Sequence, residues 1–314
     1  MKILIELPTW LGDAVMATPA IENILNYYND VEITFIGSFV SIEVMKNHPK
    51  VVKIIVLDKK YTNLYRTAKD LGRFDVFFSF RSSIRSNFLK FFISSKNKYQ
   101  FDKNKYQNRH QVEKYNDFVN DSLSIDSTAG KLQIYGHNIA KSKKKILGIN
   151  PGASYGSAKR WYPQEFAKVA SELSAEYDIV IFGGPDEVDI AGDIEQALID
   201  SGVTNYKNLA GNTTITELIN KIASLDLFIT GDSGPMHIAA AFQIPTVSIF
   251  GPTKDNETSQ WMNEKSIIVK KNLDCQPCMK RRCPLGHHNC MKLITAEEIV
   301  TNVKSQMIDQ LSGI

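Results

Sequence analysis

The sequence predicts two doubly wound α/β domains in series, on three observations. Short apolar runs rich in Ile, Val and Phe alternate with longer stretches of helical periodicity, the pattern of parallel sheets covered by helices on both faces. Glycine-bearing turns follow the ends of several of those runs. At 314 residues the chain is also longer than one hydrophobic core usually organises.

The first half reads as strand 2–7, helix 14–27, strand 32–37, helix 42–46, strand 52–57, helix 64–71 and strand 76–79. Pro19 lacks the N–H that a helix interior needs, so it kinks the first helix or ends its first segment. A stretch of weak periodicity follows, up to a run of Lys141, Lys143, Lys144 and Lys145 that reads as the linker. The second half repeats the alternation: strand 146–150, helix 164–176, strand 178–182, helix 188–198, a short strand near 206–208, helix 215–224, strand 227–230, helix 236–242 and strand 246–249. A closing amphipathic helix over 296–311 carries Ile299 and Val303 on one face. The expected division is therefore 1–143, 144–295, and a carboxyl-terminal helix 296–314 for which packing back on the first domain is one open arrangement.

Hydrophobic residues make up 43% and charged residues 23% of the chain, which excludes a largely disordered or fibrous protein. Glu6 and Pro8 interrupt the apolar start before it reaches the length of a secretory signal. No apolar run approaches the roughly 18 residues of a membrane-spanning helix. The reading is a cytoplasmic protein whose contact with a bilayer, if any, is peripheral. A net charge of +3 does not by itself argue for nucleic acid. Its distribution is uneven, because residues 81–114 hold Arg81, Arg85, Lys90, Lys96, Lys98, Lys103, Lys105, Arg109 and Lys114 against Asp102 and Glu113 only. That local field suits phosphates on a lipid headgroup, a sugar or a nucleic acid; a solvated loop kept soluble by lysines is the plain alternative.

Open α/β sheets bind ligands beyond the carboxyl ends of their strands, so two facing domains of this kind are expected to form a cleft there. The candidate motifs fall in that position. In Gly231-Asp232-Ser233-Gly234-Pro235-Met236-His237, glycine opens a turn, Ser233 suits a helix cap and Pro235 suits a first helical turn. The N–H groups and dipole of such a helix start attract an anion, for which a nucleotide diphosphate is the natural occupant; a well-capped structural turn is the other reading. Lys159, in the loop before Trp161, is placed to neutralise a leaving diphosphate, or else simply faces solvent. Glu187 follows Gly183-Gly184-Pro185-Asp186 after a strand, where a carboxylate can bind a ribose hydroxyl or begin a solvated helix. Asp13 follows the first strand and is either a general base for an acceptor hydroxyl or a helix cap.

Cys275, Cys278, Cys283 and Cys290, with His287 and His288, are the densest cluster of metal-ligand types. In a cytosolic chain they point to a structural zinc or to reduced thiols packed in a loop, and the spacing is not that of a common finger. Lys280, Arg281 and Arg282 within it suit acceptor phosphates. Two rival functions stand beside a transferase: a nucleotide-sugar epimerase of similar build, which leaves the basic strip idle, and a nucleic-acid-binding module on the cysteine loop, which leaves the glycine turns unexplained.

Taken together, LPTWLGDAVMATPAI, RSSIRSN, RHQVEKY, NPGASYGSAKRWYP, TGDSGPMHIAAA and PTVSIFGPT give the chain a resemblance to the bacterial lipopolysaccharide heptosyltransferases. CQPCMKRRCPLGHHNCMKLI resembles the second type of that family more than the first. The resemblance implies a GT-B fold, with an acceptor-side first domain and a nucleotide-sugar-binding second domain. It further implies an inverting transfer of L-glycero-D-manno-heptose from ADP-heptose to the first heptose of an inner core that carries Kdo on lipid A. No cofactor is implied for catalysis, no nucleic acid is expected, and the site of action is the inner face of the inner membrane. The family's base falls on Asp13 and its phosphate-contacting lysine on Lys159. Its donor site falls on Gly152, Ala153, Ser154, Asp232, Ser233, Gly234 and His237, with Pro235, Met236 and Glu187 beside them. Its acceptor-side basic residues match Arg81 and Arg85, in a strip that departs from the family's lysine-containing form.

Overall fold

The computed structural model describes residues 1–136 and 143–307. Lys141 of the expected linker, and residues 308–314 of the expected terminal helix, lie outside the described residues. The chain forms two compact units, the first of them Met1–Gly136.

The first unit carries strands β1 (Lys2–Glu6), β2 (Glu32–Gly37), β3 (Val51–Val56), β4 (Arg73–Ser79) and β5 (Ser94–Gln100), parallel and ordered β3-β2-β1-β4-β5. Helices α1 (Leu11–Met16), α2 (Thr18–Tyr27), α3 (Phe39–Met45), α4 (Tyr61–Asp70), α5 (Ile84–Phe92) and α6 (Gln111–Leu123) fill the connections. The helix expected over 14–27 is divided at Ala17. Pro19 sits in the first turn of α2, where its missing N–H breaks no helical bond, and Thr18 Oγ1 donates back to Val15 O at 2.8 Å. Ile3, Leu4 and Ile5 of the central strand are fully buried.

Sequence periodicity missed β5, α5 and α6. β5 is an edge strand of sequence SSKNKYQ; with one neighbour and a wet face it has no apolar alternation to read. α6 is fixed instead by a capping box, His110 accepting from the helix start while Glu113 reaches back to His110 N at 3.0 Å.

The second unit carries β6 (Lys145–Asn150), β7 (Tyr177–Ile181), β8 (Tyr206–Asn208), β9 (Leu227–Gly231), β10 (Thr246–Phe250) and β11 (Ser266–Lys270), all parallel and ordered β11-β10-β9-β6-β7-β8. Its helices are α7 (Pro163–Leu173), α8 (Val188–Asp200), α9 (Ile215–Ala223), α10 (Gly234–Ala241), α11 (Asp255–Thr258), α12 (Asn289–Lys292) and α13 (Ala296–Asn302), followed by a π-helical turn Val303–Met307. β11 is a second edge strand that the sequence reading did not find.

One core joins Leu147, Ile149, Ile179, Ile181, Leu227 and Ile229 of the sheet to Phe166 and Val169 of α7 and Ile194 and Leu198 of α8. Each such side chain contributes about 1.5–3 kcal/mol by leaving water. Ile299, Val300 and Val303 belong to this same core, so the apolar face of α13 is used within the second unit. Among the described residues, no helix is long and apolar enough to cross a membrane.

Candidate active site

Each sheet has one point where the strand order reverses, between β1 and β4 in the first unit and between β6 and β9 in the second. Loops leaving the strands on either side of such a point diverge to opposite faces of the sheet, and the crevice between them is where ligands bind. The residues expected at the site are distributed around these two points.

In the second unit Asn150, the last residue of β6, stands opposite Thr230 of β9. Its buried amide nitrogen reaches Gly152 O at 3.3 Å, Thr230 Oγ1 at 3.4 Å and Ser233 Oγ at 3.4 Å, tying the loop after β6 to the turn after β9. A Cβ at Gly152 would lie 1.9 Å from Glu187 Cδ, so a larger residue there requires the Glu187 carboxylate to move. Glu187 itself is buried, and its Oε2 accepts from Gly184 N at 2.8 Å. The carboxylate expected to meet a ribose thus sits beneath the Gly152 loop and braces the turn that follows β7. Ala153 is buried and Ser154 is exposed.

Lys159 ends a single 3₁₀ turn, Ser157–Lys159. Its Nζ lies 2.5 Å from Asp232 Oδ2 and donates to Asp232 O at 3.3 Å. Thr253, in the loop after β10, donates its hydroxyl to the same Oδ2 at 2.7 Å. Side-chain exposures of 13% for Lys159 and 6% for Asp232 show that the lysine does not face solvent. Sequence reasoning passed over Thr253 although it ends the Phe250-Gly251-Pro252-Thr253 motif; its partner, 21 residues away, is set by strand order.

Ser233 occupies the N-cap position of α10 and Pro235 its first turn, as the residue types foretold, but Ser233 makes no capping bond. Its hydroxyl pairs with Thr230 Oγ1 at 3.0 Å. The start of α10 therefore has no side-chain cap. Gly234 begins the helix, and Met236 and His237 are buried within it.

In the first unit Asp13 is half-buried in the first turn of α1, whose N-cap is Trp10, so its carboxylate does not stand in the capping position. Burial, and next the negative charge of Asp13, hold the Tyr115 hydroxyl well above its ordinary pKa, which places Asp13 within electrostatic reach of α6.

Arg81 and Arg85 follow β4, across the reversal point from β1. Both act on Glu6, the buried last residue of β1: Arg81 Nη1 lies 3.4 Å from Glu6 Oε1, and the charge of Arg85 acts on the same carboxyl. Ser79 Oγ donates to Glu6 at 2.6 Å and Ser86 Oγ donates to it as well. Burial nonetheless pushes the Glu6 carboxyl up, against the smaller downward pulls of the two serines and two arginines. A charged residue at the end of an apolar strand was the available sequence signal for this cluster.

The four cysteines are free, and with His287 and His288 they line a cavity of about 20 Å³. Among the described residues, no group of three or more His, Cys, Asp or Glu is placed to hold a metal ion. Hydrogen bonds hold the loop. His288 N donates to Cys283 Sγ at 3.4 Å and draws that thiol's pKa down, while burial pushes Cys290 up to about 11. The loop also grips the Lys159 turn: Tyr155 donates its hydroxyl to Met279 O at 2.7 Å, Ala158 N donates to Arg281 O at 3.1 Å, and His288 Nε2 donates to Ala158 O at 2.9 Å.

Residues 65–289 match the profile of glycosyltransferase family 9 (heptosyltransferase). The chain is 45% identical to lipooligosaccharide heptosyltransferase 2 of Campylobacter jejuni, over 97% of this chain and 98% of that protein. It superposes on the Escherichia coli ADP-heptose LPS heptosyltransferase II with a TM-score of 0.82 at 20% identity, covering 99% of this chain and 100% of that one. It also superposes on an E. coli heptosyltransferase solved with ADP, with a TM-score of 0.76 at 14% identity, covering 98% and 100%. These superpositions identify the fold as GT-B.

Proposed function

The chain belongs to glycosyltransferase family 9, the heptosyltransferases, and we propose on that premise that it is the inverting transferase that moves L-glycero-D-manno-heptose from ADP-heptose to the first heptose of the lipopolysaccharide inner core. The acceptor is Kdo- and heptose-bearing lipid A, and the enzyme meets it peripherally at the inner face of the inner membrane. The observation that carries the donor half of this reading is the Lys159–Asp232–Thr253 cluster beside the uncapped start of α10, at the reversal point of the second sheet.

The chemistry follows from those groups. The acceptor hydroxyl oxygen forms a bond to the anomeric carbon while the bond from that carbon to the diphosphate oxygen breaks. The hydroxyl proton passes to the Asp13 carboxylate, and the electron pair of the broken bond leaves with ADP. Charge that accumulates on the departing diphosphate is met by Lys159 Nζ and by the N–H groups opening α10. Gly152, Ala153 and Ser154 bring backbone close to the donor, while Glu187 keeps that loop in place. Arg81 and Arg85, ordered by Glu6, attract the anionic core of the acceptor.

Incubation with ADP-heptose and acceptors of defined truncation tests the assignment, reading ADP release and product mass. ADP and a product heavier by one heptose are expected only with the acceptor that already bears one heptose. Equal transfer to an acceptor ending in Kdo would overturn the acceptor assignment, and failure to use ADP-heptose with either acceptor would overturn the donor assignment.

A further inference from the structure

The donor cradle of the second unit is short of positive charge. Lys159 is paired with Asp232 at 2.5 Å, so part of its charge is already compensated before a diphosphate carrying about −2 to −3 arrives. A helix start supplies only about half an elementary charge. A second cation stands next to Lys159: the Tyr155 ring has Lys159 Nζ 4.8 Å from its centroid and Arg281 Cζ 5.5 Å from the same centroid.

The backbone holds Arg281 there independently of its side chain. Ala158 N donates to Arg281 O at 3.1 Å, Tyr155 OH donates to the neighbouring Met279 O at 2.7 Å, and a Cβ at Gly156 would lie only 2.4 Å from Arg281 O. Gly156, at φ +153, is thus the point where the cysteine loop is pressed against the Lys159 turn. The guanidinium itself is exposed and free to meet a ligand, with the ring of Tyr155 limiting where it goes.

We propose that Arg281 is a donor-binding residue that, with Lys159 beside the same Tyr155 ring, clamps the diphosphate of a nucleoside-diphosphate-linked sugar. This rests on the donor reading above and moves Arg281 from the acceptor's phosphates to the donor's. The cysteine loop is then the arm that delivers a guanidinium to the leaving group, and its contacts with Ala158 and Tyr155 set the distance between the two cations.

Calorimetric titration of the full chain with ADP and with AMP tests it. In R281A, ADP binding weakens about tenfold to a hundredfold, the range for loss of a charge-assisted contact. AMP binding changes by less than about threefold, and R281K recovers part of the loss. K265A, which removes an exposed lysine with no place in the site, binds ADP as the unchanged protein does. Thermal unfolding of R281A stays at the parental midpoint, because the backbone contacts are kept. Undiminished ADP binding by R281A, or an equal loss for AMP and ADP, overturns the proposal. If the unchanged protein fails to bind ADP, the donor reading fails first and this one with it.

Discussion

Lys159 Nζ and Asp232 Oδ2 lie 2.5 Å apart, joining the loop after β6 to the turn after β9 across 73 residues of sequence. A pair this desolvated is costly to break, since removing one member strands the other's charge. K159M is therefore expected to lose about 10²–10³-fold in kcat and also to unfold more readily, whereas K159M/D232N regains stability without regaining turnover. Steady-state kinetics and denaturant melts on the two variants separate the effects. Recovery of turnover in the double variant would show that Lys159 acts only structurally.

Asp13 is tested by D13A, with D13N as the isosteric control. If Asp13 removes the acceptor proton, both variants lower kcat by about 10²–10⁴-fold while leaving ADP binding intact. Near-normal turnover in a folded D13N would remove Asp13 from the proton's path.

Gly152 and Glu187 press on each other, since a Cβ at 152 would lie 1.9 Å from Glu187 Cδ and an added methyl group requires that carboxylate to move. G152A should lose about 1–3 kcal/mol of stability, and donor affinity with it, through displacement of the loop. E187A alone loses the bond from Gly184 N, and G152A/E187A is less unstable than the two single losses combined. Denaturant midpoints of the three variants read this coupling; strict additivity would mean that the two residues do not press on each other.

Glu6 makes stability depend on pH in a direction opposite to that of an ordinary salt-bridged carboxylate. Burial raises its pKa in the folded state above the ordinary carboxyl value of 4.5, so the folded protein binds the proton more tightly than the unfolded chain does. Its contribution is complete below pH 4.5 and is lost as pH rises from there through the raised value. E6Q should remove that part of the pH dependence, flattening the change in denaturant midpoint as pH rises above 4.5. An identical slope in both proteins would place the titration elsewhere.

The class of fold was legible in the chain before any coordinates, and so were the connections that carry the candidate residues. Apolar runs such as 3–5 and 227–230 read as buried strands because both faces of a central parallel strand are covered, and their neighbours in sequence turn at glycine or proline because the backbone must reverse there. Pro235 fell where a first helical turn tolerates it, and Asp13, Lys159 and Asp232 fell in connections that follow strands. Edge strand β5, of sequence SSKNKYQ, escaped this reading because a strand with one neighbour and a wet face can keep polar residues throughout.

Which of those residues meet was set by long-range packing. Asp232 takes Lys159 and Thr253 as partners because strand order sets β9 between β6 and β10; no local periodicity encodes that order. Ser233, a cap by position, turns its hydroxyl to Thr230, and Glu187, a candidate ligand by position, supports Gly152. Residue type limits what a side chain is able to bond, but the choice among partners belongs to whichever strand the sheet brings alongside, and long-range packing alone selects it.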